Sequence, residues 1–185
     1  MQYIILILLS LSFLNAEAKT TLLNAKTARA VEASYNKQFP SDGGTWKLQK
    51  DQAFEVDLNP KTSSHSIFAA FTDGQVRFVL LSAKDNSVIQ TLPKSELAVT
   101  GIFAFEKIKS VMFKDINRDG ILDILILTSY FDSRPVQGEG VGGGSIDIGF
   151  VFVSHNDKYD INEDCGEDVR NIKALEKCAS KLFKK

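Results

Sequence analysis

Residues 113–128 read Phe-Lys-Asp-Ile-Asn-Arg-Asp-Gly-Ile-Leu-Asp-Ile-Leu-Ile-Leu-Thr, an acidic turn that runs straight into an apolar strand. Counted from Asp115, oxygen-bearing side chains stand at positions one, three, five and nine: Asp115, Asn117, Asp119 and Asp123. Calcium takes about six to eight hard oxygen ligands. Alternate residues of a tight turn can point inward, Gly120 permits the bend after the fifth position, and the Ile121 carbonyl adds a main-chain donor. The expected metal set is therefore Asp115, Asn117, Asp119, Ile121 and Asp123, with Ca2+ as the cofactor and water or another residue completing the shell. Asp, Asn and Gly are also the residues that an ordinary turn favours. Against that plain reading, three carboxylates brought together without a cation repel one another.

The residues after the loop separate it from two other calcium loops that begin in the same way. An EF-hand places a bidentate Glu at position twelve and leads into a helix. Here position twelve is Ile126, within the strand-like run Ile121 to Leu127. A dockerin also needs an acidic residue there and a second copy of the loop. With Asp123 at position nine feeding a strand, the segment resembles the Asp-x-Asn-x-Asp-Gly-x-x-Asp loop of FG-GAP and VCBS-type repeats.

Outward from this strand the period of two continues. Phe54, Val56 and Leu58 alternate with polar neighbours, and Ile67 to Phe71 and Val76 to Leu81 flank the hairpin signal Asp73-Gly74. Val88 to Leu92, Gly101 to Phe105, Val111 to Phe113, Ile121 to Thr128 and Ile146 to Val153 are further strand candidates. With no internal repeat, the pattern predicts a mainly β (α+β) fold: one antiparallel β-sandwich or partly closed barrel of about eight strands. Helices are expected at both ends. Leu23, Ala28, Val31 and Tyr35 share a face within Thr20 to Tyr35, and Val169, Ile172, Leu175, Ala179 and Leu182 do so within Asp168 to Phe183. Glu167 and Asp168 at the start of the second helix, and Lys181, Lys184 and Lys185 at its end, suit its dipole.

The chain opens on an apolar run, Ile4 to Leu14, followed by Ala16-Glu17-Ala18, the layout of a cleavable signal peptide over residues 1–18. The run is too short to span a bilayer core of about 30 Å. The expectation is an exported protein, periplasmic or secreted, with residues 19–185 forming one calcium-binding β-rich domain and no membrane association after cleavage. With 22 basic and 23 acidic residues, one of the latter being Glu17, the processed chain carries no formal net charge. Nothing in that balance points to nucleic acid. Two cysteines in an exported chain pair as a rule, which predicts a disulfide between Cys165 and Cys178.

A wider resemblance runs from about residue 76 to residue 127. The segment Asn86-Ser87-Val88-Ile89-Gln90-Thr91-Leu92, followed by Phe113-Lys114-Asp115-Ile116-Asn117-Arg118-Asp119-Gly120, resembles small periplasmic proteins related to inhibitors of invertebrate-type lysozyme. Some of those relatives bind calcium. The resemblance implies a β-rich domain that binds and blocks a peptidoglycan hydrolase, as immunity proteins against wall-degrading effectors do. Residues 130–145 offer a candidate partner-binding loop, with Arg134, Gly138, Glu139, Gly140, Gly142, Gly143 and Gly144 beside Asp132. A long glycine-rich segment can enter a narrow cleft, and it can equally be a plain connection. The alternative function is a calcium-stabilised surface or adhesion module without inhibitory activity. Enzymatic activity is not expected. His65 and His155 have no spacing to a nucleophile and an orienting acid, and Asp147 with Glu139 is no more than a pair of common carboxylates.

Overall fold

The computed structural model describes residues 19–41, 44–62, 64–94, 103–132, 144–156, 158–166 and 169–183. Residues 1–18, read above as a signal peptide, lie outside the described residues, as do Arg134, Gly138, Glu139, Gly140, Gly142 and Gly143 of the expected partner loop, Glu167, Asp168, Lys184 and Lys185. No helix among the described residues is long and apolar enough to cross a membrane.

Among the described residues ten strands form two antiparallel sheets. The first contains β1 (Thr20–Leu22), β3 (Phe54–Asn59), β4 (Ser64–Thr72), β5 (Val76–Ser82) and β6 (Val88–Thr91) in that order, with β2 (Lys47–Leu48) paired to β4. The second runs β10 (Lys158–Asn162), β9 (Gly144–His155), β8 (Asp123–Asp132), β7 (Phe103–Lys114). Among the described residues two helices accompany the sheets: α1 (Ala25–Gln38), and α2 (Ile172–Leu182).

The alternation of side chains along a strand assigns every apolar residue to a layer. Phe68, Phe78, Leu80, Ile124, Ile126, Phe150 and Phe152 face inward and form the core between the sheets. Their neighbours Ile67, Phe71, Val79 and Leu81 face outward onto Val31 and Tyr35 of α1. Leu125, Leu127 and Val151 do the same beneath Leu175 and Ala179 of α2. Both faces of each sheet are thus covered at the centre, which is why β4, β5 and β8 are nearly continuous apolar runs where a half-wet antiparallel strand alternates. Tyr35 stacks on Phe71 at 3.8 Å between ring centres and fixes α1 over its sheet.

The predicted sandwich is present, and no barrel closes among the described residues; the strand boundaries need correction. Of the segment read as Gly101 to Phe105, residues 101 and 102 lie outside the described residues; residues 103–105 and Val111 to Phe113 belong to one edge strand, β7, interrupted by register shifts rather than by a turn. The first helix starts at Ala25, because the Asn24 side chain accepts hydrogen bonds from the Lys26 and Thr27 amides and Thr20–Leu22 is drawn into β1. The second starts at Ile172 rather than Asp168, capped in the same way by Asn171 onto the Ala174 amide. The disulfide joins Cys165, in the turn after β10, to Cys178 of α2, as expected.

One contact closes the sandwich along an edge. Gln90 of β6 donates from Nε2 to the Tyr159 carbonyl at 2.8 Å and accepts from the Tyr159 amide at 2.9 Å, so a side-chain amide replaces a strand neighbour between the two sheets. Gln90→Leu leaves both Tyr159 groups without these partners and is expected to lower stability by about 1–2 kcal/mol, read as a shift of the urea midpoint at unchanged slope.

Candidate metal centre

The segment Asp115 to Leu122 connects β7 to β8, and its alternating pattern has a structural cause. Ile116 is buried with Leu125, Val151 and Leu175 under α2. The acids on either side of it are thereby held on the loop side. Asp115 Oδ1 and Oδ2 accept from the Asp119 and Gly120 amides at 3.2 and 3.0 Å. Asn117 Oδ1 accepts from the Asp119 amide at 3.1 Å, while its Nδ2 donates to Asp119 Oδ2 at 2.9 Å. Asp119 Oδ1 accepts from the Ile121 amide at 2.7 Å. Four of the five sequence-predicted residues, Asp115, Asn117, Asp119 and Ile121, are therefore joined in one hydrogen-bonded turn. Gly120 has φ of +88°, and a Cβ there would lie 2.8 Å from Lys61 Nζ; glycine meets both demands. Arg118 also occupies the left-handed region, at φ 66°.

Asp123 is placed differently. It is the first residue of β8, fully buried, and its carboxylate reaches under the turn. Oδ2 accepts from the Ile116 amide at 2.7 Å and the Asn117 amide at 3.4 Å, and Oδ1 accepts from the Ser154 amide of β9 at 2.9 Å. Burial pushes its carboxyl up to about 6 against the opposing pull of these amides, and the Asp119 carboxylate adds to the rise. Asp123 thus braces the turn from below and pins it to the neighbouring strand.

The surroundings hold the turn against the first sheet. The Leu122 amide donates to the Leu58 carbonyl at 2.8 Å, and the Tyr159 hydroxyl donates to the Leu122 carbonyl at 2.7 Å. Burial, then the negative charges of Asp123 and Asp119, raise the Tyr159 phenol far above its ordinary value, so it remains a donor. Lys61, in the β3–β4 turn, donates from Nζ to the Asp119 carbonyl at 3.2 Å. Lys114, at the other arm of the turn, pairs with Glu176 of α2. None of these partners is visible in local spacing, since Leu58, Lys61, Ser154, Tyr159 and Glu176 come from distant parts of the chain.

Among the described residues, no group of three His, Cys, Asp or Glu side chains stands ready to hold a metal by itself. The loop offers a mixed set instead, namely carboxylates from Asp115 and Asp119, the Asn117 amide oxygen and main-chain carbonyls, with Asp123 beneath. A carboxylate has about four lone-pair positions, so these hydrogen bonds leave acceptor capacity on each acid. Hard oxygens of this kind suit calcium or magnesium rather than softer ions.

Of the other residues singled out in the sequence, Gly144 and Asp147 lie apart from this turn. Gly144, the described end of the glycine-rich segment, pairs with Asp132 at the far end of the β8–β9 hairpin. Gly144 is thus separated from the acidic loop by the full length of β8, and the loop braces the opposite end of that hairpin. Asp147 is engaged by Lys109 at 2.7 Å. The exposed His65 contacts Asp57 at 2.6 Å. No protein-family model, no curated protein and no solved structure matches this chain.

Proposed function

We propose that this protein is an exported, calcium-braced β-sandwich that acts by binding a protein partner rather than by catalysis. The observation that carries the reading is the hydrogen-bonded turn that gathers Asp115, Asn117 and Asp119 above the buried Asp123 carboxylate, which accepts from neutral main-chain amides. The single Lys61 ammonium on the Asp119 carbonyl does not match the three carboxylates, and a divalent cation supplies the further positive charge. Calcium is held by the side chains of Asp115, Asn117 and Asp119 and the Ile121 carbonyl, with Asp123 lending its remaining lone pairs. Its role is structural, since it fixes the β7–β8 turn, which is tied to β3 through the Leu122 amide and the Leu58 carbonyl.

Calorimetric titration with calcium tests this directly. One site is expected in the processed chain, and Asp119→Ala is expected to abolish it. At a free calcium concentration about 100 times Kd, the bound ion adds about 2.7 kcal/mol to stability, which a chelator removes. Absence of heat in both proteins refutes the site.

A second reading, inhibition of a peptidoglycan hydrolase, is favoured by one further observation. Asp132 and Gly144, on either side of residues 133–143, are paired at the end of the β8–β9 hairpin, a stem suited to carrying a binding segment. Capture of periplasmic or secreted partners with the processed chain is expected to recover a wall hydrolase. Full hydrolase activity in the complex refutes inhibition and leaves the binding module.

A further inference from the structure

Lys61 lies in the turn between β3 and β4, and hydrogen bonds fix its place there. The Asn59 side chain accepts from the Lys61 amide at 3.1 Å, and the Asn59 carbonyl accepts from the Thr62 amide at 3.1 Å. Pro60 between them has its backbone φ set by its ring. Leu58, just before this turn, accepts from the Leu122 amide at the foot of the acidic turn at 2.8 Å. The two turns are therefore held side by side, with the Lys61 ammonium donating to the Asp119 carbonyl at 3.2 Å. Gly120 leaves the space that the ammonium uses, since a Cβ there would lie 2.8 Å from Nζ.

Of the lysines around the acidic turn, Lys114 gives its charge to Glu176 of α2, whereas Lys61 touches the turn's own backbone. At neutral pH the carboxylates of Asp115, Asp119 and Asp123 less one ammonium leave two negative charges, which one divalent ion neutralises. The affinity of a calcium loop follows its ligand charge count, and Lys61 lowers that count by one.

Two effects of Lys61 on an incoming ion oppose each other. Its hydrogen bond steadies the Asp119 carbonyl, and its charge repels the ion. The bond is exposed, so ordering the long lysine side chain offsets most of what the bond contributes. The repulsion acts on a doubly charged ion held in the same turn, within the distance over which salt screens incompletely. Repulsion is the larger effect.

We propose that Lys61 is a resident cation of the metal turn, which sets the charge of the turn to that of one divalent ion and keeps its calcium affinity below what the acids alone provide. This inference rests on the calcium reading above and names the residue that regulates that site.

Calcium and terbium(III) are titrated by calorimetry, at low salt, onto the full processed chain, Lys61→Met and Lys61→Arg. Lys61 is exposed, and methionine keeps the length of its stem. Lys61→Met is expected to bind calcium about fivefold more tightly, the size of a screened like-charge contact near a surface. For terbium the gain is expected to reach about tenfold, because the repulsion grows with the charge of the ion. Lys61→Arg keeps the charge and is expected to stay within about twofold of the unsubstituted chain. In 1 M salt, where the screening length is about 3 Å, the advantage of Lys61→Met is expected to shrink to less than about twofold. Calcium binding that is unchanged or weaker in Lys61→Met overturns the role of Lys61 and leaves the metal site standing, as does a gain equal for both ions and indifferent to salt. Absence of binding in all three proteins refutes the metal site itself, and this inference with it.

Discussion

Asp123→Asn is expected to destabilise the metal-free chain by about 3 kcal/mol, although it removes a buried charge and alters the shape of the side chain very little. The reason is the count of acceptors. Both Asp123 oxygens receive main-chain amides, from Ile116 and Asn117 on one side and Ser154 on the other. Asparagine supplies one oxygen and one NH2 group, so a donor must face either the Ile116 or the Ser154 amide. A buried donor left unpaired costs about 1–3 kcal/mol, and here two donors oppose each other at once. Protonation of Asp123 has a different consequence, since a neutral carboxyl keeps acceptor capacity on both oxygens. Its folded pKa is raised above the unfolded value, to about 6, so the folded chain binds a proton that the unfolded chain releases. Metal-free stability contributed by this group is therefore expected to rise as pH falls from about 6 towards about 4, and to be absent above that window. Urea unfolding in chelator at a series of pH values checks both statements. A slope that persists unchanged in Asp123→Asn assigns it to other groups, and a midpoint equal to that of the unsubstituted chain removes the bracing role.

The contrast between Asp123 and its neighbours marks how far spacing alone reaches. The period of two at Asp115, Asn117 and Asp119 is a local property, and the turn uses it locally, each side chain capping an amide two to five residues ahead. Asp123 fits the same spacing, yet its work is done with Ser154, 31 residues away, which no window along the chain reveals. The strands follow the same division. The apolar runs of β4, β5 and β8 are legible because burial on both faces leaves few polar residues in them. The edge strand β7 is not, because Glu106, Lys107 and Lys109 interrupt its pattern where one side meets water and the register shifts. β1, β2 and β10 are short segments whose strand character comes from partners such as Val56, Phe71 and Val153 rather than from their own composition. Asn24 and Asn171 carried the missing helix boundaries, since a side-chain acceptor just before an apolar-periodic stretch is a start signal in its own right.

Gly149→Val tests the packing of α2, and two effects of opposite sign compete in it. Valine is a better strand former than glycine by up to about 1 kcal/mol, so on an open sheet face the change is stabilising. On β9 the face is not open. A Cβ at position 149 would lie 2.7 Å from Leu175 Cδ1 and 3.2 Å from Cδ2, with the Cys165 carbonyl at 3.5 Å. Leu175 is fully buried, in an interior where close packing resists its displacement. Nor is α2 free to lift. The Cys165–Cys178 disulfide ties it to the turn after β10, and the Gly149 amide donates to the Gly166 carbonyl of that same turn at 3.0 Å. Overpacking against a tethered helix stands at the upper end of its usual range, a loss of about 3 kcal/mol, which outweighs the strand preference. The urea midpoint of Gly149→Val reads the net effect, and Leu175→Ala supplies the control. That change alone leaves a cavity and costs about 2–5 kcal/mol, but in the double variant the valine fills part of the space, so the combined loss is expected to fall well short of the sum. Strictly additive losses would mean that the two side chains do not meet, and a more stable Gly149→Val would place α2 further from the sheet than the contact with Leu175 requires.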